Sequence, residues 1–310
     1  MVANLLEETK QYLDVVNKQP SLHTMTPVEV RELRAGQPRP LNTKTQMKTI
    51  ENQMIKVRDG AYIKIRIYSP EGKGPFPIII YYHGGGWVLN SIETCHESCQ
   101  LLATKTHSIV VSVDYRLAPE YPFPTPVYDA YDAFLWAVNH TRELNGVENQ
   151  ITVAGDSAGA NLATVVSMMS RDLNGPIIAS QFLLYPVTDL TYDTPSYDEF
   201  EHGFGLEKKD MEWFGHYYLQ QETEKQNPYV APLRAEHLNN LPPAFIVVAE
   251  NDVLRDEGIA YAKRLSFSNV TVQLKMAKGL IHSFFTKNEV FSEYIETMID
   301  QFHEFRKMNH

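Results

Sequence analysis

The stretch VAGDSAGANLA, residues 153–163, places Ser157 between Gly155 and Gly159, where an apolar run meets a helix-like run. In a G-x-S-x-G turn between a strand and a helix, the serine takes a strained backbone conformation and projects its hydroxyl above the sheet. Only small neighbours two residues away leave room for such a turn. A glycine-rich turn that merely joins a strand to a helix is the alternative, and other parts of the chain must decide between the two.

The composition is that of a globular protein and argues against several functional classes. The chain has 310 residues, 43% hydrophobic and 21% charged, which suits one large domain with an accessory subdomain. A net charge of −10 without a basic patch in the sequence would repel nucleic acid. No apolar run reaches the roughly 18 residues of a membrane span, and the N-terminal stretch does not have the pattern of a signal peptide. We therefore expect a cytoplasmic protein.

The two cysteines, Cys95 and Cys99, lie close together in CHESC. Two cysteines are too few for a disulfide framework, but with His96 between them they suggest a metal site. A structural zinc ion needs four ligands, and the sequence offers no second cluster. Two free thiols on a helix are therefore favoured, and no metal is expected.

Apolar runs rich in β-branched residues alternate with helix-like stretches along most of the chain. Such runs suit strands buried on both faces of a parallel sheet, covered by helices such as 127–139 and 255–267. Residues 63–69 alternate polar and apolar side chains instead, as a half-exposed strand does. The sequence therefore predicts an α/β fold. The predicted buried strands are 76–82, 108–115, 151–155, 181–186, 244–250 and 270–277.

Two segments stand outside this alternation. The N-terminal segment has helical spacing that breaks at AGQPRPLNT, residues 35–43. Residues 188–233 are too long for a simple connection and are rich in aromatic residues, which predicts a folded lid. The expected organisation is a set of N-terminal cap helices over 1–45, a catalytic α/β domain over 46–187 and 226–310, and a cap insertion over 188–225.

A serine hydroxyl is a weak nucleophile and needs a base that is itself oriented by an acid. Asp252 follows the predicted strand 244–250, and His282 follows the last predicted strand. The order Ser157, Asp252, His282 is the chain order of α/β-hydrolases. A histidine that packs in the core and an aspartate that caps a helix are the alternative roles, and Asp256 is a rival acid.

The glycines of HGGGW, residues 83–87, directly follow a predicted strand. They let the N–H groups of Gly85 and Gly86 approach a bound carbonyl oxygen and, with the N–H of Ala158 at a helix N-terminus, form an oxyanion hole. The loop lacks the spacings of nucleotide-binding loops. The candidate substrate-binding residues are Trp87, Asp156 and Phe214.

From about residue 50 to about residue 290 the chain resembles the hormone-sensitive-lipase family of esterases. The resemblance implies an α/β-hydrolase with an eight-stranded, mostly parallel sheet flanked by helices and a helical cap. It also implies hydrolysis of small-molecule carboxylic esters with short to medium acyl chains and no cofactor. The blocks that carry it are HGGGW (83–87), DYRLAPEYPFP (114–124), GDSAGANLA (155–163), YPVTDL (185–190), DVLRDEG (252–258) and IHSFF (281–285).

By position, the resemblance assigns family roles to six residues. The nucleophile, acid and base fall on Ser157, Asp252 and His282, and the oxyanion donors on Gly85, Gly86 and Ala158. Two positions depart from the family pattern, because Ala160 and Ser283 stand where glycine is usual or common.

Three alternatives and one question of assembly stay open at this point. A non-catalytic receptor on the same fold is one, since the gibberellin receptors resemble this family but lack a working catalytic histidine; His282 in an intact IHSFF block argues against it. Amidase and lipase activity of the same site are the others. An edge strand near 270–277 offers a possible homodimer contact.

Overall fold

The computed structural model describes residues 4–35 and 46–309. Its strands are β1 (Thr49–Lys56), β2 (Tyr62–Ser69), β3 (Phe76–Tyr82), β4 (Ile109–Asp114), β5 (Gly146–Asp156), β6 (Ser180–Leu184), β7 (Ala244–Asn251) and β8 (Val272–Ile281). They form one sheet in the order β1-β2-β4-β3-β5-β6-β7-β8. The pairs β1/β2 and β2/β4 are antiparallel, and the other five pairs are parallel.

Helices cover both faces of this sheet. They are α1 (Glu7–Val16), α2 (Pro27–Ala35), α3 (His96–Thr106), α4 (Thr125–Asn139), α5 (Ala158–Asp172), α6 (Pro195–Glu199), α7 (Lys208–Tyr218), α8 (Arg255–Phe267) and α9 (Asn288–Met308). One core packs α4, α5 and α8 against the sheet, and a second core packs α3 and α9 against its other face. Burial on both faces explains why the central strands are unbroken apolar runs.

The predicted eight-stranded α/β-hydrolase architecture is confirmed, and the seven strands predicted from apolar and alternating runs are all present. The pattern missed β1, because this strand exposes most of its side chains and so carries no apolar run. The expectation that 63–69 is half-exposed was wrong. Most of β2 is buried, and its Arg66 is covered by an ion pair with Glu93 at 2.6 Å.

The N-terminal helices and the insertion contact each other. Trp213 on α7 donates from Nε1 to the carbonyl of Met25 at 2.9 Å, and Asn17 donates to the carbonyl of Gly203 at 3.0 Å. Arg31 on α2 donates to the carbonyl of Val88, directly after the glycine loop, at 3.0 Å. These bonds agree with a composite cap, although the domain boundaries stay predictions. Most of the predicted break over 35–43 lies outside the described residues.

The carboxyl ends of the parallel strands bring the candidate site residues to one edge of the sheet. Ser157 directly follows β5, Asp252 follows β7 and His282 follows β8. The register pairs Asn251 with Ile281, so the next residue of each strand, Asp252 and His282, leaves the sheet side by side. Ligands of open α/β sheets bind at this edge.

Candidate active site

Ser157 lies in a strained turn between β5 and α5. Its φ of 56° and ψ of −120° are unusual for a residue with a side chain. The turn packs so closely that a Cβ on Gly155 would collide with the carbonyl of Gly159, and a Cβ on Gly159 would collide with the carbonyl of Tyr82. The glycines therefore have the packing role that the sequence predicted, and the serine hydroxyl is lifted above the sheet.

The structure brings His282 within hydrogen-bond distance of both Ser157 and Asp252. The distance from His282 Nε2 to Ser157 Oγ is 3.0 Å, and that from His282 Nδ1 to Asp252 Oδ2 is 2.7 Å. The other carboxylate oxygen of Asp252 accepts the N–H of Leu254 at 3.0 Å, which holds the carboxylate in place. The ring of Tyr185 packs against that of His282 with centroids 4.8 Å apart. This is the geometry of a nucleophile, an oriented base and an acid.

The residue after the histidine has a backbone conformation that glycine adopts more easily than serine. Ser283 has a φ of 63°, in the left-handed region that favours glycine. Glycine would take this conformation without strain, which accounts for its frequency there in the family.

The glycine loop lies beside the serine with free N–H groups. No hydrogen bond within the described part of the chain uses the N–H of Gly85 or Gly86. Ala158 is the first residue of α5, where N–H groups have no partner inside the helix. Gly85 and Gly86 have φ values of 114° and 60°, which a glycine adopts readily. All three donors are thus available for the negative charge on a substrate oxygen.

Trp87 and Asp156 support this loop from behind. Asp156 Oδ1 accepts the N–H of Gly84 at 2.9 Å and the hydroxyl of Tyr81 at 2.8 Å, and burial raises the pKa of this carboxyl. The Trp87 ring is fully buried and stacks on Tyr218 with centroids 4.1 Å apart. Both side chains are buried and hold the glycine loop in place. Substrate contact by these two residues stays a prediction.

Phe214, the third candidate substrate-binding residue, reaches the glycine loop from the insertion. A Cβ on Gly86 would collide with the Phe214 ring, so the two groups are in direct contact. The ring is buried and packs edge-on against Trp213. The insertion therefore closes over the glycine loop, and Phe214 as a wall of the acyl pocket stays a prediction.

A methyl group on Gly86 should disturb this contact. We expect Gly86→Ala to lower kcat/KM for short-chain esters by about tenfold to hundredfold, because the loop or the Phe214 ring must move away from the bound carbonyl. Gly60→Ala is the matched control, since Gly60 also has a positive φ, 89°, but no atom within 4 Å of the added Cβ. Steady-state kinetics of both variants make the comparison. Equal kcat/KM values for Gly86→Ala and Gly60→Ala would show that activity does not depend on the close contact between Gly86 and the Phe214 ring.

The comparisons with known proteins agree with this geometry. A family model described as alpha/beta hydrolase fold matches residues 79–286. The carboxylic ester hydrolase LipN of Mycobacterium tuberculosis is 43% identical over 228 residues, 72% of this chain and 61% of that protein. The ethyl acetate hydrolase of Pseudomonas putida is 34% identical over 256 residues, 81% of this chain and 80% of that protein. This chain therefore spans less than two thirds of LipN.

A solved structure extends the similarity over nearly the whole chain. The thermostable esterase of Pseudomonas putida superposes with a TM-score of 0.93 at 31% identity, over 99% of this chain and 98% of the other. The chain belongs to the hormone-sensitive-lipase-type family of α/β-hydrolases.

The sequence analysis missed a buried carboxyl that anchors the start of the insertion in this family member. Glu257 on α8 accepts the N–H of Thr188 at 2.6 Å and that of Asp189 at 3.2 Å. Burial, with the nearby charge of Asp189, raises the pKa of Glu257 to about 8. The DVLRDEG block contains this glutamate, but no local pattern reveals that its partners lie 69 residues earlier in the chain.

The raised pKa predicts a pH-dependent stability. Glu257 stays protonated in the folded state up to about pH 8 but ionises near 4.5 when unfolded, so its contribution is present below 4.5 and lost as the pH rises to 8. Between pH 6 and pH 9, the wild-type free energy of unfolding should fall by about 3 kcal/mol more than that of Glu257→Gln. Denaturant titrations of both proteins measure this difference. The control is Glu143→Gln, at an exposed position, which should show the same pH dependence as the wild type. The prediction would be contradicted if Glu257→Gln also showed the wild-type pH dependence.

Two charged residues of the DYRLAPE block, Arg116 and Glu120, form ion pairs with distant parts of the chain. Arg116 pairs with the buried Asp129 at 2.7 Å and with Asp59 at 2.8 Å, and Glu120 pairs with Arg31 at 2.7 Å. Arg31 lies on α2, far away in sequence. The network therefore fastens the N-terminal helices to the segment after the glycine loop.

Two remaining groups of side chains bear on metal binding. The thiols of Cys95 and Cys99 are free and buried. His23, Glu207 and Asp210 are close enough to share a metal ion, but Asp210 accepts the N–H of His23 and faces its ring, and both carboxylates cap α7.

Across residues 4–35 and 46–309, every helix is too short or too polar to cross a membrane.

Proposed function

We propose that this chain is a serine carboxylesterase that hydrolyses small esters through a covalent acyl-enzyme. The single observation that carries the proposal is the hydrogen-bonded series from Ser157 through His282 to Asp252. The names of two relatives, carboxylic ester hydrolase and ethyl acetate hydrolase, support the same reaction class.

In the proposed first step, His282 Nε2 takes the proton of Ser157 as its oxygen attacks the ester carbonyl. Asp252 holds the proton of Nδ1, which fixes the imidazole tautomer and stabilises the imidazolium. The N–H groups of Gly85, Gly86 and Ala158 bind the oxyanion. His282 then gives its proton to the alcohol as the carbon–oxygen bond breaks.

In the second step, water repeats this cycle on the acyl-enzyme. His282 removes a proton from the water molecule, the hydroxide attacks the acyl carbonyl, and Ser157 leaves with the proton. Trp87 and Asp156 are proposed as positioning residues, because they hold the glycine loop from behind. All of the chemistry is supplied by side chains and backbone groups of this chain.

A short acyl chain fits the enclosed site best. Ser157 and His282 are only 5% and 9% exposed, and Phe214 closes over Gly86. Each buried methylene adds about 0.8 kcal/mol of binding, but only while the pocket has room for it. One relative, an ethyl acetate hydrolase, is named for an ester with an acyl chain of two carbons.

Chromogenic esters from acetyl to palmitoyl, together with one anilide, test the proposed function. We expect kcat/KM to peak at acyl chains of about two to eight carbons, since packed aromatic side chains exclude longer tails. The anilide should react far more slowly, because an amine leaves less readily than an alcohol. A peak at palmitoyl esters would favour a lipase, and anilide cleavage faster than ester cleavage would favour an amidase. The absence of any turnover would favour a receptor.

The cytoplasmic location and the homodimer through β8 stay predictions. Exposed Leu274 and Met276 on this edge strand leave room for a second strand. Mass measurement in solution decides the assembly.

A further inference from the structure

A cavity of about 570 Å³ lies at the amino edge of the sheet, opposite the edge that holds Ser157. Its walls come from the segment before β3, the end of α3, the residue before the apolar part of β5, and the last turns of α9. We call it the amino-edge pocket. Its polar side chains with nitrogen donors are Lys73, His107, Gln150, His303, Arg306 and Lys307.

The charge of this pocket is opposite to that of the whole chain. Three of its side chains, Lys73, Arg306 and Lys307, carry a permanent positive charge, and none of the described residues that line it is Asp or Glu. The chain as a whole has a net charge of −10. A concave site of one sign concentrates ions of the opposite sign.

Arg306 forms the buried wall of the pocket and has only neutral partners. Its residue is 5% exposed, and its guanidinium donates to Ser108 Oγ and to the carbonyl of Thr106, both at 2.8 Å. Among the described residues no carboxylate lies within ion-pair distance of it. Burial lowers the pKa of Arg306 to about 10, so it stays charged at neutral pH. Buried charges are normally paired, and no described residue supplies a counter-charge to this one.

His303 adds a neutral donor. Its Nδ1 faces the Arg306 guanidinium at 3.3 Å and therefore accepts, which leaves the proton on Nε2. Burial and the two neighbouring cations lower the pKa of His303, so the ring is neutral at pH 7. Lys307 also pairs with the exposed Glu304 at 2.9 Å, but a surface pair of this kind is weak and exchanges readily.

The negative end of the α9 dipole accounts for only part of this cluster. Basic residues are favourable in the last turn of any helix, which explains Arg306 and Lys307. It does not explain Lys73, which comes from the loop before β3, or the exclusion of acidic residues from every wall.

We propose that the amino-edge pocket binds a small multivalent phosphate-class anion. A planar guanidinium with two ammonium groups matches the oxygens and the charge of a phosphate group, and the volume accepts inorganic pyrophosphate or a small phosphate monoester. The site is separate from the esterase chemistry and does not rest on the proposed function.

Calorimetric titration of the full chain with inorganic pyrophosphate tests this site. We expect one ion per chain, and a Kd at least about tenfold weaker in Lys73→Gln/Lys307→Gln, because two charge-assisted contacts are lost. The control Lys56→Gln/Lys263→Gln has the same net charge but changes exposed lysines on β1 and α8. Its Kd should stay within about twofold of the wild type, since distant surface charges are screened.

Arg306→Lys gives a second test, because it keeps the positive charge but removes the planar guanidinium. This variant should also weaken pyrophosphate binding. If Arg306→Lys does not fold, the Lys73→Gln/Lys307→Gln variant decides the test. Comparing the Kd of glucose 6-phosphate with that of pyrophosphate shows whether the pocket prefers an organic or an inorganic phosphate. Citrate that binds as well as either would contradict the phosphate class. No binding at millimolar pyrophosphate, or an equal loss in the control pair, would overturn the site.

Discussion

Ser157→Ala should lower kcat for short-chain esters by at least about 10⁴-fold, the order of loss seen when a serine nucleophile is removed from a triad. The change deletes the attacking oxygen, and the remaining donors of the glycine loop can bind a carbonyl but cannot form an acyl-enzyme. Thermal unfolding should stay close to that of the wild type, because the main-chain bond from Ser157 N to the carbonyl of Leu184 at 2.9 Å remains.

Ser167→Ala is the matched control for this substitution. Ser167 is also buried on α5, and its hydroxyl donates to the carbonyl of Ala163 at 3.0 Å, away from His282. It should retain wild-type kcat. A phosphonate ester adds a direct readout, since the wild type should gain one covalent adduct by mass and Ser157→Ala none. Turnover near the wild-type rate in Ser157→Ala would remove this residue from the mechanism.

Asp252→Asn should lower kcat by at least about 10²-fold, because the amide can hold the wrong imidazole tautomer and cannot stabilise an imidazolium. The rival acid has other partners. Asp256 accepts the N–H of Ser196 at 2.9 Å and pairs with Arg255 at 2.8 Å, so its carboxylate fixes the insertion to α8. We therefore expect a much smaller loss of kcat in Asp256→Asn.

The comparison needs kcat and KM for both variants under the same conditions. Asp252 is buried behind His282, so Asp252→Asn should change kcat while KM stays nearly constant. Asp256→Asn should instead lower stability through the lost contact with the insertion. A larger loss of kcat from the Asp256 substitution would show that the assignment of the acid is wrong.

The parts of this protein that depend on neighbouring residues were predictable from the sequence. The strand-to-helix turn around Ser157 needs small residues two positions away, and both glycines are visible in one short stretch. The central strands are unbroken apolar runs because both of their faces are covered. Asp252 and His282 could be placed together because the carboxyl ends of parallel strands share one edge of the sheet.

Features that depend on distant or exposed residues were not predictable in this way. β1 exposes most of its side chains, so it is held by pairing with β2 and leaves no apolar signal. The burial of Trp87 and Asp156 behind the glycine loop was not visible in the sequence either, since solvent exposure is a property of the packed molecule.

The amino-edge pocket and the Glu257 anchor are the clearest cases that only the tertiary structure decided. Lys73 and Arg306 are separated by most of the chain, and they meet only because β3 and the end of α9 lie at the same edge. A sequence records the order and chemistry of its residues, and these determine strands, helices and tight turns through local sterics and periodicity. Burial, the pKa shifts that follow from it, and contacts between distant residues arise only when the elements pack together.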